Sequence, residues 1–132
     1  MSNVAMTTTV PGPFDQAKAR VTEALAAEGF GVLTQIDMRA TLAAKIGAQV
    51  EPYEILGACN PGLAHQALEA DRSVGLLLPC NVTLREVAGG VEVAILDPRA
   101  MFGVADEALQ ERLSGLVEEA RSRLTRALEA LG

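Results

Sequence analysis

Hydrophobic positions recur along this chain with two different periods, which divide it into predicted helices and strands. Apolar residues spaced by three and four from Phe14 to about Glu28 predict a helix, and Gly29 is a natural stop for it. Apolar and polar residues then alternate over Phe30–Ile36, which predicts a strand. A further strand is predicted over Tyr53–Cys59. The first half of the chain therefore mixes both kinds of element.

Capping residues at the junctions predict where further helices begin. Asp37 is a good N-cap for a short helix that runs through Lys45 or Ile46. Asn60 as N-cap and Pro61 as first helical residue begin another helix directly after the Tyr53–Cys59 strand. A β-branched run near the N-terminus, Thr7–Val10, predicts a short first strand.

The middle of the chain is predicted to be β-rich. Ser73–Leu78 is a continuous apolar run, for which we expect a strand buried on both faces. After Pro79, a second run over Val82–Val87 is joined to Val91–Asp97 by Gly89-Gly90, which predicts a two-residue hairpin turn.

The last segment has the strongest periodicity, and it completes the predicted fold. A helix over about Ala105–Leu131 carries one apolar stripe and an opposite face of mixed charge, which favours a lid on a sheet over a dimerising coiled coil. The stripe consists of Leu109, Leu113, Leu116, Val117, Ala120, Leu124, Leu128 and Leu131. We therefore expect a single α+β domain over residues 1–132, with a mostly antiparallel sheet covered by helices.

Composition excludes several classes of function. The 132 residues carry a net charge of −6 and only 3% aromatic residues, so the chain would repel a phosphate backbone and has few rings to stack on bases. The longest apolar stretch, Val74–Leu78, is far too short to span a bilayer, and the N-terminal residues show no targeting pattern. We expect a cytoplasmic protein with reduced thiols and no nucleic-acid or membrane partner.

The residues that most suggest a chemical site are two cysteines, each of which is followed by an asparagine at a junction between predicted elements. Cys59-Asn60 precedes a predicted helix, and Cys80-Asn81 precedes a predicted strand. If the Gly89-Gly90 turn is tight, Leu84 faces Ile95 and Val82 faces Asp97, and alternation then places Asp97 diagonally near Cys80 on the same face of the hairpin. A carboxylate at that position needs a partner, because an unpaired buried charge is costly. The predicted ligand-binding residues are Cys59, Asn60, Cys80, Asn81 and Asp97.

Three interpretations of the cysteines remain open. The helix dipole favours a thiolate at Cys59, which could act as a nucleophile with Cys80 as the resolving thiol, although no Cys-x-x-Cys motif is present. A metal could be held by Cys59 and Cys80 with the sole histidine, His65, or with Asp97 or Glu54. Alternatively, both cysteines are small buried apolar side chains. Phosphate-loop, dinucleotide and serine-hydrolase motifs are absent from the sequence, so no cofactor is indicated.

The chain resembles the family named domain of unknown function 302 over about residues 17–97. The resemblance rests on Gly29-Phe30, Ile36-Asp37, the segment Leu56-Gly57-Ala58-Cys59-Asn60-Pro61 and the segment Leu77-Leu78-Pro79-Cys80-Asn81-Val82. It implies a fold similar to the TATA-box-binding-protein class, in which a curved, largely antiparallel sheet is covered by helices, and it implies a homodimer. The family has no settled activity, so the resemblance supplies no reaction.

Taken together, these observations favour a small binding module with a pocket between the sheet and its helices and with the cysteines near the rim. The pocket would take a small molecule or a metal. The alternatives are an enzyme of thiol redox or sulfur transfer chemistry, and a structural dimer without a chemical site.

Overall fold

Five antiparallel strands form one open sheet in the computed structural model, which describes residues 4–132. The strands are β1 (Ala5–Val10), β2 (Gly31–Asp37), β3 (Tyr53–Cys59), β4 (Cys80–Val87) and β5 (Gly90–Leu96). Their order across the sheet is β1-β5-β4-β3-β2, so β1 and β2 are the edges. Residues 1–3, which belong to the N-terminal stretch considered for targeting, lie outside the described residues.

The five α-helices are α1 (Phe14–Ala27), α2 (Met38–Ile46), α3 (Pro61–Ala70), α4 (Pro98–Phe102) and α5 (Glu107–Leu131). The predicted caps are confirmed: a carboxylate oxygen of Asp37 accepts the Ala40 amide at 2.9 Å, and the Asn60 side chain accepts the Leu63 amide at 3.1 Å. Both side chains satisfy an amide that the first helical turn leaves without a partner. The α+β class and the long C-terminal helix are likewise confirmed.

The main core lies on one face of the sheet, under α1 and α5. Its strand residues alternate along each strand, as a half-buried sheet requires, and its helix residues follow the predicted stripes. Fully or nearly fully buried members are Val10, Val21, Leu25, Leu56, Val82, Leu84, Val91, Val93, Ile95, Leu124, Ala127 and Leu131. A second, smaller cluster joins α3 to the first half of α5 through Ala67, Val74 and Leu113.

The strand predicted over Ser73–Leu78 is wrong, because residues Arg72–Leu77 form a 3₁₀ helix. Asp71 caps this helix by accepting the Ser73 amide at 2.9 Å, and only Val74 within it is buried. Leu76 is 89% exposed. A short apolar run does not by itself distinguish a buried strand from a helical segment.

The β4–β5 hairpin is present, but its predicted register is wrong by two residues. Val87 pairs with Gly90, so the turn consists of Ala88 and Gly89, and Leu84 faces Val93 instead of Ile95. A shift of two residues preserves which face each side chain occupies. Continuing this register brings position 97 opposite position 80, so Asp97 lies directly across from Cys80 instead of diagonally.

Two further boundaries differ from the sequence prediction. Helix α5 begins at Glu107 because the Asp106 side chain caps it, and the preceding segment contains the short helix α4, which was not predicted. The alternation in β2 is interrupted at Leu33, since Val32 pairs with Ala58 and Thr34 pairs with Gly57. No helix within residues 4–132 is long and apolar enough to cross a bilayer.

We expect Gly57→Ala to destabilise the protein by about 1–3 kcal/mol, the usual cost of overpacking. A Cβ at Gly57 in β3 would collide with the Thr34 hydroxyl and would lie 2.7 Å from Cγ of Pro79. The matched control is Gly115→Ala in α5, where an added Cβ meets nothing within 4 Å, and which should stabilise the helix by about 0.5–1 kcal/mol. Urea unfolding of both variants measures the two effects. Equal unfolding free energies for Gly57→Ala and the parent protein would contradict the close packing at Gly57.

Candidate functional site

The two cysteines line one cavity of about 60 Å³, at the end of the sheet where β3 ends and β4 begins. Its walls come from α3, α4 and α5 together with these strand ends. The cavity lies where the two hydrophobic clusters meet, because Phe30 and Leu124 of the main core and Ala67 and Leu113 of the smaller cluster all line it.

Cys59 reaches this cavity because it is the last residue of β3 and directly precedes the Asn60 cap of α3. Its side chain is partly buried, and burial raises the pKa of the Cys59 thiol. A raised pKa favours the neutral thiol. This direction is opposite to the one expected from the helix dipole alone.

Cys80 is the first residue of β4 and points into the main core, where it is 5% exposed. Its thiol donates a hydrogen bond to the Leu96 carbonyl oxygen at 3.5 Å. Burial, and secondly the negative charge of Asp97, raise the pKa of Cys80 to about 12. Cys80 is therefore a neutral thiol at physiological pH.

The Asp97 carboxylate has the hydrogen-bond and ion-pair partners that a carboxylate beside an apolar core needs. One carboxylate oxygen accepts the backbone amide of Arg99 at 2.9 Å and so caps α4, and the other is 3.1 Å from Nε of Arg121 on α5. The carboxylate does not line the cavity, although Pro98, the next residue, does. Asp97 thus acts on the cavity by fixing its walls and by its field at Cys80.

The remaining predicted residues are divided between the cavity and the outer surface. Asn60 lines the cavity, with its oxygen engaged in capping α3. Asn81 is exposed, since it lies on the opposite face of β4 from Cys80. His65 is on the outer side of α3, 3.4 Å from Glu69, and Glu54 pairs with Lys18 at 2.7 Å. Among residues 4–132 no three His, Cys, Asp or Glu side chains are grouped closely enough to hold a metal ion.

The lining is almost wholly apolar, and its charged neighbours lie outside it. Arg99 donates to both carboxylate oxygens of Glu118 at 2.9 Å on the outer side of α4 and α5. The lining from α4, namely Pro98, Met101 and Phe102, was not predicted, because a five-residue helix gives no periodic signal. The arrangement offers apolar contact, two neutral thiols and no formal charge to a bound molecule.

Comparison with protein families shows a match to the domain of unknown function DUF302 over residues 6–131. The chain belongs to the DUF302 family. The match covers nearly the whole chain, so the resemblance seen over residues 17–97 extends through α5. Comparison with curated proteins returns no significant relative.

Among solved structures, this DUF302 chain is similar to an uncharacterized conserved DUF302 protein from Bacillus stearothermophilus. The two share 28% sequence identity and superpose with a TM-score of 0.85, and the match covers 98% of each chain. The fold of this chain is therefore that of another DUF302 protein along its full length.

The raised pKa values predict slow thiol chemistry in the native protein. At pH 8.5 we expect Cys80 to react with iodoacetamide at least about three orders of magnitude more slowly than an ordinary thiol, since each pKa unit is a factor of ten in thiolate. Cys59 should react faster than Cys80 and more slowly than an ordinary thiol, because its pKa is raised but its side chain is only partly buried. Mass spectrometry of tryptic peptides separates the two sites, because residues 46–72 and 73–85 each contain one cysteine. Protein unfolded in urea is the control, and equally fast labelling of native Cys80 would refute its burial.

Proposed function

We propose that this DUF302 protein is a binding module for a small, uncharged and largely apolar molecule, which occupies the cavity between α3, α4 and α5. The observation that carries the proposal is the position of both cysteines on one cavity whose lining is otherwise nearly all apolar. An apolar cavity of this kind lacks the two to four polar partners that hold ordered water, so it is a suitable place for an apolar ligand.

Size and charge both support this class of ligand. The cavity volume of about 60 Å³ is several times the roughly 10–15 Å³ that one water molecule needs, but it is well below the roughly 150 Å³ of a cavity that holds benzene, so it fits a small apolar group. A charged ligand would lose its hydration without gaining a counter-charge, because the side chains that line the cavity are uncharged and Asp97 and Glu118 beside it are already paired with Arg121 and Arg99. Phe30, Phe102 and Met101 provide polarizable surface for a flat or soft apolar group.

The enzymatic alternative, thiol redox or sulfur transfer, has weaker support. It needs a thiolate at Cys59, whereas burial raises the pKa of that thiol, and it needs a reactive Cys80, whose pKa is about 12. Both cysteines are free thiols in the structure. What favours the alternative is only that the two thiols share one cavity.

The binding proposal is tested with xenon, a small apolar probe of dry cavities, followed by ¹²⁹Xe NMR. We expect a saturable change in the xenon chemical shift with the parent protein. Ala120→Leu in α5 and Ala64→Leu in α3 each place a larger side chain at the cavity lining and should abolish the saturable change. The loss should be at least about tenfold in affinity, equivalent to about 1.4 kcal/mol.

A matched control is available on α5. Ala108→Leu makes the same substitution at an exposed position that does not line the cavity, and it should bind xenon like the parent protein. Circular dichroism confirms that each variant is folded. Absence of saturable binding to the parent protein, or equal binding by Ala120→Leu and Ala64→Leu, would contradict the proposal.

We further propose that the protein is a homodimer that pairs through β2 and α2. Leu33, Ile36 and Ile46 are 65%, 45% and 73% exposed, and all three belong to this strand and the helix that follows it. No residue of α2 is buried. A sheet edge with exposed apolar side chains is a surface that proteins normally cover.

The second copy is the occupant that fits this edge. An antiparallel edge strand can pair with its own copy across a twofold axis, because each residue then meets its symmetry-related partner. The chain carries a net charge of −6, which opposes self-association in general, but the only charged residues of α2 are Arg39 and Lys45. This edge is accordingly a place where two acidic copies can approach with little repulsion.

Sedimentation velocity over a range of concentrations tests the dimer. Ile36→Glu places a charge at the centre of the proposed interface and should raise the dissociation constant at least about tenfold. The matched control is Leu76→Glu, which changes a side chain that is 89% exposed and lies on the 3₁₀ helix. It should leave the dimer intact. A parent protein that is monomeric at every concentration, or a dimer unaffected by Ile36→Glu, would refute this interface.

A further inference from the structure

We propose that α4 is a movable wall of the cavity, which opens when the ion pair between Arg99 and Glu118 separates. The inference rests on the proposed function only in that the space behind α4 is the proposed ligand cavity. The movement itself is measured on the protein alone, at the buried thiol of Cys80.

Helix α4 is the part of the cavity wall that depends most on packing against its neighbours. It has five residues, well below the roughly 12–15 at which an isolated helix becomes even marginally stable, so its structure depends on packing. It packs chiefly on α5, and it contributes Pro98, Met101 and Phe102 to the cavity. Displacing α4 would remove one side of the cavity while the sheet, α3 and α5 stay in place.

Two ion pairs hold α4 on α5, and they differ in their surroundings. At the start of α4, Asp97 pairs with Arg121 at 3.1 Å, where the two side chains are 17% and 34% exposed. On the outer side, Arg99 donates two hydrogen bonds to Glu118, and both side chains are more than half exposed. The inner pair is the firmer attachment because it is less screened, whereas water can replace the outer pair at small cost.

The far end of α4 is attached to the core through Phe102, which packs against the smaller cluster and lines the cavity. Beyond it, Gly103 and Val104 are exposed, and Val104 is 77% exposed despite being apolar. The Gln110 side chain donates to the Gly103 carbonyl oxygen at 3.1 Å. An outward swing of α4 about Asp97 would therefore withdraw Phe102 from the cavity.

Opening of α4 has a local reporter. Cys80 is 5% exposed, and Pro98 of α4 lines the same cavity. An outward movement of α4 would admit solvent and reagent to the cavity and so to Cys80. The rate of Cys80 modification then measures the fraction of time that α4 is open, provided that global unfolding is accounted for.

The test uses iodoacetamide under native conditions, with the 73–85 tryptic peptide as the readout. Glu118→Gln removes the outer ion pair and should speed Cys80 modification by about two- to fivefold, the range expected for an exposed pair. The matched control is Glu119→Gln, which removes the 2.8 Å pair with Arg123 within α5 and leaves α4 untouched. It should not change the rate.

A charge swap makes the test specific to the pair. Arg99→Glu should speed modification more than Glu118→Gln, because it places two carboxylates together, and the double variant R99E/E118R should return the rate toward that of the parent protein. Urea unfolding of each variant gives the contribution of global unfolding. Equal acceleration by Glu119→Gln, failure of the double variant to slow the reaction, or rates that simply follow global stability would overturn the proposal. Acceleration by Glu118→Gln in a protein that does not bind xenon would instead uphold the movement of α4 and refute only the proposed function.

Discussion

Burial on only one face of the sheet is the constraint on which the rest of the structure depends. The buried residues of β3, β4 and β5 occupy alternate positions, and they all meet α1 and α5 on the same side. Because only 3% of the residues are aromatic, this core is built from short aliphatic side chains. Such a core needs long helices lying closely on the sheet, and α5 with 25 residues provides the longest.

The cavity follows from a difference in length between α5 and the strands it covers. A helix of 25 residues spans about 37 Å, whereas a strand of seven spans about 23 Å. The first half of α5 therefore extends past the sheet and packs on α3 and α4, which creates the smaller cluster around Leu113. The junction between the two clusters is filled from both sides by small residues such as Ala58, Ala64 and Ala120, and it is there that space remains.

Local signals predicted much of the fold, and they failed where tertiary contacts decide the outcome. Asp37 and Asn60 fixed the starts of α2 and α3 because a side-chain cap depends only on neighbouring residues. The Ser73–Leu78 run was predicted to be a strand because a short apolar run looks the same in a strand and in a helical segment, and only Val74 of the 3₁₀ helix is buried. Helix α4 is too short to produce a period, so the wall that it supplies to the cavity could not be predicted.

In the candidate site, too, some features follow from neighbouring residues in the sequence, and others follow only from the fold. Cys59-Asn60 and Cys80-Asn81 look alike in sequence, yet Asn60 caps a helix at the cavity while Asn81 faces away from it. Cys80 pairs with Ala58, the residue before Cys59, so the register brings both cysteines to the end of the sheet at which the cavity lies. Alternation along the hairpin was enough to place Asp97 beside Cys80, since that relation survives a register shift of two.

Two thiols on one cavity do not by themselves create thiol chemistry. Their surroundings decide whether they act as reactive thiolates or as apolar side chains. A thiolate needs cations or amide donors directed at the sulfur. Arg121 does not serve this purpose, because its guanidinium group is already bound by Asp97. The field of Asp97 at Cys80 acts in the opposite direction and keeps that thiol neutral. A neutral thiol in an apolar wall behaves as a small, polarizable hydrophobic group, so the same side chains that first pointed to reactivity instead extend the apolar surface offered to a ligand.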